Sequence, residues 1–238
     1  MSNKIQVWDL PIRVFHWSLV GAVLAAYVTG EIGGNLSNWH GWIGALIFGL
    51  LVFRLIWGFI GTTHARFTSF FPSPARVVAY LKGEWQGTGH NPLGALSILA
   101  VLGILVFLAT TGFFANDDIG FQGPLFNLID KSLSDWLTSL HEVSFKILLV
   151  LIALHLGAIA FYFFFKKTNL VKPMITGRKL ISEDTSEELQ FQIKKSGKAH
   201  LLIAVLIAAI SVWSVFGGVV VQHFGPKTAP TNTATPSW

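Results

Sequence analysis

Cysteine is absent from all 238 residues. Disulfides, iron–sulfur clusters, thiolate zinc sites and CxxCH-attached c-type haem are thereby excluded, so any metal chemistry falls to the eight histidines or to carboxylates. Charge is scarce too: 12% of residues are Asp, Glu, Lys or Arg, about half the ~25% of an ordinary soluble domain. With 52% hydrophobic residues and a mean hydropathy of +0.58, the chain has more apolar side chain than one water-facing core can hide. These shortages exclude a soluble enzyme, a disordered segment and a nucleic-acid binder, despite a net charge of +5.

What is present is five long apolar stretches, near Arg13–Gly30, Trp39–Ile60, Leu93–Phe114, Leu140–Phe165 and Leu201–Phe224. They predict an all-α integral membrane protein, a four-helix transmembrane bundle plus a fifth transmembrane helix. The expected layout is a core over 1–180, a cytoplasmic linker over 181–200, the fifth helix over 201–224 and a disordered periplasmic tail over 225–238. Lys4 and Arg13 ahead of the first stretch suggest a signal peptide. His16 and Trp17 interrupt its opening and no A-x-A site follows, so it reads as a retained helix.

Lys and Arg orient the bundle. Thirteen fall in the N-terminal segment and the second and fourth loops, against two in the first and third loops and the tail. The N-terminus is therefore expected in the cytoplasm and the C-terminus in the periplasm of a bacterial inner membrane, and the basic excess is a topology signal. Ser73–Gly83 reads as a short interfacial helix, Ser182–Gln192 as an acidic helical stretch, and Gly225–Trp238, rich in Pro and Thr, as an external tail.

Histidine inside a membrane span is costly and marks function by default. His16, His40, His141 and His155 fall in spans; His64, His90, His200 and His223 lie in loops or at span ends, where an interfacial polar residue is the simpler reading. His141 and His155 share one span, about 21 Å apart along its axis and about 40° from alignment. Both project from one face, one per leaflet. Depth then pairs His16 with His155 at the inner level and His40 with His141 at the outer. Two such pairs suit two six-coordinate b-type haems, whose axial imidazoles come from facing helices. Zinc would need three or four clustered ligands. With both axial positions filled there is no open site for O₂, which leaves electron transfer as the simplest role.

Gly41, Gly44, Gly49 and Gly157 near the ligands give clearance for a flat macrocycle, or else close helix packing. Arg13, Arg54 and Lys146 pair with haem propionates, or else snorkel to headgroups or line a wet cavity.

The opening Val7-Trp8-Asp9-Leu10-Pro11-Ile12-Arg13-Val14-Phe15-His16-Trp17 resembles the start of bacterial cytochrome b561 proteins, which group with the b-type cytochrome subunits of nickel–iron hydrogenases and, more distantly, of formate dehydrogenase. The likeness continues through His40-Gly41-Trp42-Ile43-Gly44, Arg54-Leu55-Ile56-Trp57-Gly58, His64-Ala65-Arg66-Phe67, Gly89-His90-Asn91-Pro92-Leu93-Gly94-Ala95, His141-Glu142, His155 and Met174-Ile175-Thr176-Gly177-Arg178-Lys179, covering about residues 5–180. The resemblance implies a four-helix core with two b haems, ligated by one histidine each from the first and second helices and two from the fourth. It also implies electron exchange with membrane quinone, with His90 and Asn91 as candidates for the quinone site beside the inner haem. The fifth span and tail lie outside it.

The leading reading is a di-haem electron-transfer subunit linking quinone to a periplasmic partner, either a hydrogenase-type complex or a c-type cytochrome. The acidic third loop, with Asp117, Asp118, Asp130 and Asp135, suits a basic protein surface. An alternative is a self-contained oxidoreductase whose outer haem reacts with a small oxidant such as superoxide. A transporter with a histidine proton relay lacks the broken helices usual in such folds. Capping offers a second account of Asn91, since Asn-Pro suits the start of a helix.

Overall fold

The computed structural model describes residues 2–84, 91–182 and 196–224. Strand β1 (Ser2–Gln6) leads into α1 (Leu10–Ile32), α2 (Ser37–Ile60), the one-turn α3 (Phe67–Phe70) and α4 (Pro74–Leu81). Then come α5 (Pro92–Gly112), α6 (Lys131–Phe164), the short α7 (Val171–Thr176), β2 (Arg178–Ser182), α8 (Lys198–Phe216) and α9 (Val219–Phe224). Five helices (α1, α2, α5, α6 and α8) are long and apolar enough to cross a membrane, making this a multi-pass membrane protein. His90, the expected helical stretch beyond Ser182 and the expected tail over 225–238 lie outside the described residues.

Side-chain caps set the helix starts. Asp9 accepts the Ile12 N–H at 2.8 Å at the head of α1, Asn91 the Gly94 N–H at 2.6 Å at the head of α5, and Asp130 the Leu133 N–H at 3.0 Å at the head of α6. Because Asp130 caps it, α6 starts nine residues before the expected Leu140. Its 34 residues span about 51 Å, well over the ~30 Å of a hydrocarbon core, so it stands out of the membrane. The fifth span is shorter than expected. Gly217 and Gly218, the latter at φ +76°, stop α8 at Phe216 and separate it from α9.

Helix α1 packs on α2, α2 on α5, and α5 on α6. Phe15, Leu19, Ala22, Ile47, Leu51, Leu102, Leu105 and Leu148 form the shared core. Helix α8 lies along α2, with Ala204 and Ala208 buried. A Cβ added to Gly49 would come within 2.9 Å of Val212 Cγ2, so Gly49 serves this helix contact and not a macrocycle.

The strands were not expected. β1 and β2 pair antiparallel from Ser2↔Ser182 to Gln6↔Arg178, fastening the chain's start to the segment after α6. Val7 and Trp8 donate backbone N–H groups to the Gly177 carbonyl at 2.9 and 3.1 Å. Gly177 sits at φ +78°, and a Cβ there would lie 2.8 Å from the Trp8 carbonyl oxygen, so both conformation and space favour glycine. Below this ribbon, Ile5, Val7, Trp8, Ile12, Trp57, Ala65 and Ala204 form a second apolar cluster. Asp9 ties it together, accepting from Trp57 Nε1 at 3.0 Å and Thr62 Oγ1 at 2.7 Å.

The two ends of the bundle differ in charge. One, the basic end, carries Arg66, Arg76, Lys82, Lys166, Lys167 and Lys172. The other, the acidic end, carries Glu31, Asp117, Asp118, Asp130 and Asp135.

Candidate functional site: two histidine levels in the bundle

At the acidic end, His40 on α2 and His141 on α6 face each other with ring centroids 6.1 Å apart and planes at 79°. Each ring is anchored by its Nδ1. His40 Nδ1 lies 2.9 Å from the Ala26 carbonyl oxygen on α1, and His141 Nδ1 lies 3.0 Å from that of Leu108 on α5. Thr111 Oγ1 adds a contact to His141 Nδ1 at 3.2 Å. With Nδ1–H spent on a carbonyl, each imidazole keeps Nε2 as the lone-pair nitrogen, the tautomer a metal ligand needs.

The spacing fits a shared metal. With a metal–imidazole bond of about 2.0 Å and about 1.1 Å from nitrogen to ring centre, opposed imidazoles on one metal have centroids about 6.2 Å apart. Among the described residues no three His, Cys, Asp or Glu side chains gather. A metal here would therefore bring its remaining donors with it, as a porphyrin does. A cavity of about 350 Å³ adjoins the pair, walled by Gly44, Ile47, Leu105 and Phe145. Glu31, Asp117 and Glu142 line it as well. A Cβ on Gly44 would meet nothing within 4 Å, which is the clearance expected. Gly41 has another neighbour: the Phe121 ring, from the loop after α5, reaches within 2.8 Å of where its Cβ would be.

Two glycines at this level escaped the sequence reading. A Cβ on Gly30 would stand 3.2 Å from His40 Cε1, and one on Gly112 would stand 3.2 Å from His141 Cε1. Each lies four residues after the residue whose carbonyl takes the Nδ1 contact, so carbonyl and glycine stack on one helix face. Their signal was the four-residue offset, which is readable only once the facing histidine is known.

At the basic end, His16 on α1 and His155 on α6 are half-buried and close enough to interact electrostatically. His16 Nδ1 is buried without a hydrogen-bond partner. It has company. Arg54 is only 5% exposed, its guanidinium 4.5 Å above the Phe67 ring, and its Nη1 is buried and unpaired. Arg13 Nη1 donates to the Ile175 carbonyl at 2.6 Å while its Nε is buried and unpaired, and His64 Nε2 is likewise buried and unpaired. Burial pushes the His64 imidazole below its usual pKa. Each buried unsatisfied polar group costs about 1–3 kcal/mol. The oxygen acceptors of an acidic ligand, such as haem propionates, are the kind of group that would satisfy these arginine nitrogens.

His64 is thus more than the interfacial polar residue its loop position suggested. Lys146 is less: it is exposed, does not line the cavity, and lies about 140° round α6 from His141. Gly157 is open, with nothing within 4 Å of a Cβ. Asn91 does cap α5, and its Nδ2 also donates to the Tyr162 hydroxyl at 2.7 Å.

The sequence profile of the prokaryotic cytochrome b561 family matches residues 7–177. The chain is similar to a probable Ni/Fe-hydrogenase B-type cytochrome subunit of Rhizobium leguminosarum bv. viciae, 24% identical over 220 residues and covering 76% of this chain and 91% of that protein. A protein of the same description from Azotobacter chroococcum mcd 1 is 24% identical, covering 77% and 91%. A probable Ni/Fe-hydrogenase 1 B-type cytochrome subunit of Escherichia coli K12 is 25% identical over 142 residues, covering 45% of this chain and 58% of that protein. No solved structure matches. With the profile spanning both histidine levels, the chain belongs to the prokaryotic cytochrome b561 family, membrane cytochromes whose cofactor is haem b.

Proposed function

We propose that this protein is a di-haem b-type conduit of the bacterial inner membrane, moving electrons between membrane quinone and a periplasmic redox partner. The carrying observation is the His40–His141 pair: rings 6.1 Å apart, each Nδ1 held by a backbone carbonyl, beside a cavity. Haem b supplies a one-electron iron couple when bound. His40 and His141 would hold one group at the acidic end and His16 and His155 a second at the basic end. Arg13 and Arg54 would take propionates at that basic end, which the Lys and Arg bias assigns to the cytoplasm.

The protein's own groups account for the rest of this reading. The Ala26 and Leu108 carbonyls fix the imidazole tautomers and raise ligand basicity. Phe145, Ile47 and Leu105 keep the cavity apolar, which limits water around the redox centre. At the periplasmic mouth, Glu31, Asp117 and Glu142 favour a basic protein surface and repel an anion such as superoxide. That charge supports a docking partner, a hydrogenase-type subunit or c-type cytochrome, over direct reaction with a small oxidant. The relatives' description as hydrogenase cytochrome subunits supports the first of these.

A pyridine haemochrome assay on purified protein tests the reading. About two haems per chain are expected; one or none would refute the pairing. Reduction of those haems by a quinol, and their oxidation by quinone, tests the quinone link.

A further inference from the structure

The basic end holds a polar cluster for which haem binding has no use. Asn91 divides its amide, with Oδ1 accepting from Gly94 N–H and Nδ2 donating to the Tyr162 hydroxyl. The Tyr162 hydroxyl is hydrogen-bonded in turn to that of Tyr80. Three elements thus meet through one chain of donors and acceptors: α4, the head of α5 and the last turns of α6. Tyr162 follows His155 by seven residues, about 10.5 Å along α6 and about 20° from alignment. It projects from the same face as His155, two turns nearer the basic surface.

Packing alone does not ask for two phenols here. Phenylalanine fills nearly the same volume and α6 uses it freely, at Phe161, Phe163 and Phe164, whereas a hydroxyl in apolar surroundings carries a desolvation cost. The flanks of the cluster are apolar and open sideways: Leu81, Leu93, Leu96 and Phe161 are all exposed. Charged side chains flank it too: α4 presents exposed Arg76, and Lys82 follows its last residue.

We propose that Tyr162 and Tyr80 join Asn91 as the head-group end of the quinone site, and that the two hydroxyls pass protons between the bound ring and cytoplasmic water. The inference rests on the reading that quinone sits beside the basic-end haem. A quinone oxygen accepts hydrogen bonds and a quinol oxygen also donates them; a phenol does both and stays neutral, which suits the membrane boundary. Because it donates one proton while accepting another, it relays without net ionisation. Oxidation of one quinol breaks two O–H bonds, releasing two electrons singly to the haem and two protons along the hydroxyl chain. Reduction of quinone reverses both flows.

The test uses purified holoprotein with decylubiquinol and menadiol as probes, following haem reduction by stopped flow across pH, with haem content measured in each variant. Tyr162→Phe and Tyr80→Phe should keep both haems, slow quinol-driven reduction at least about tenfold, and flatten its pH dependence. Wild-type rates and pH profile in both variants, with Asn91→Ser slow, would overturn the inference and leave the quinone reading standing. Loss of haem in step with rate in both variants would also overturn it, assigning the cluster to holding α4 against α6. Failure of wild-type protein to accept electrons from either quinol would overturn the quinone reading itself.

Discussion

His40 Nδ1 lies 2.9 Å from the carbonyl oxygen of Ala26, and the same arrangement recurs across the cavity between His141 and Leu108 at 3.0 Å. In both, the accepting carbonyl also belongs to a helix ladder that closes on a glycine four residues later, Gly30 or Gly112. The imidazole can reach the carbonyl because that glycine has no side chain. Two helices that carry no histidine at this level, α1 and α5, thereby orient the histidines of the two that do.

Gly30→Ala and Gly112→Ala should each push the facing imidazole by a few tenths of an ångström and cost about 1–3 kcal/mol, as overpacking does. The expected outcome is an altered spectrum and weaker retention of the acidic-end haem, with the basic-end haem unchanged. Difference spectra and haem content report it directly.

His40→Ala or His141→Ala should remove one haem, and His16→Ala or His155→Ala the other. Haemochrome stoichiometry near half of wild type, with complementary spectra for the two groups, is the predicted pattern. His16 and His141 behaving as one group would refute the depth assignment.

On the proposed di-haem reading, Arg54→Gln should lower the midpoint potential of the haem held at the basic end. A buried cation 4.5 Å above Phe67 favours the reduced, less positive iron, and glutamine keeps hydrogen-bonding capacity while removing the charge. Potentiometric titration should show one potential moving and one staying.

The acidic-end loop should loosen in acid. Asp117 accepts the N–H groups of Gly120, Phe121 and Ile119, which hold its carboxyl below the usual range. A depressed folded-state pKa gives a stabilisation that is present above the ordinary carboxylate pKa near 4. It is lost as pH falls through the lower folded value. Asp117→Ala should reproduce the acid effect at neutral pH, seen as faster cleavage of the loop by added protease and greater exposure of the Phe121 ring that lies against Gly41.

Gly49→Val should destabilise the fifth helix, because a Cβ there already crowds Val212 and α8 has few other buried residues. A fall in thermal midpoint corresponding to about 1–3 kcal/mol is expected, with haem content retained.

Apolar run length and charge bias by themselves determined the membrane class, the five spans and the two depths of histidine, because bilayer thickness and a fixed 1.5 Å rise leave little freedom once a run is long enough. The cap at Asn91 was also local, and Asn91-Pro92 announced the start of α5 before any contact was known. The carbonyl anchors of His40 and His141, the clearance at Gly30 and Gly112, the unpaired nitrogens of Arg54 and His64, and the Asn91–Tyr162–Tyr80 chain were decided by tertiary structure. Each joins residues on different elements, and the helical period says which face a side chain takes but not which neighbour that face will meet. The β1–β2 ribbon shows the same limit most plainly. Ser2–Gln6 and Arg178–Ser182 are too short to announce strands alone, and they pair because the bundle brings its N-terminus and the end of its fourth span to the same surface.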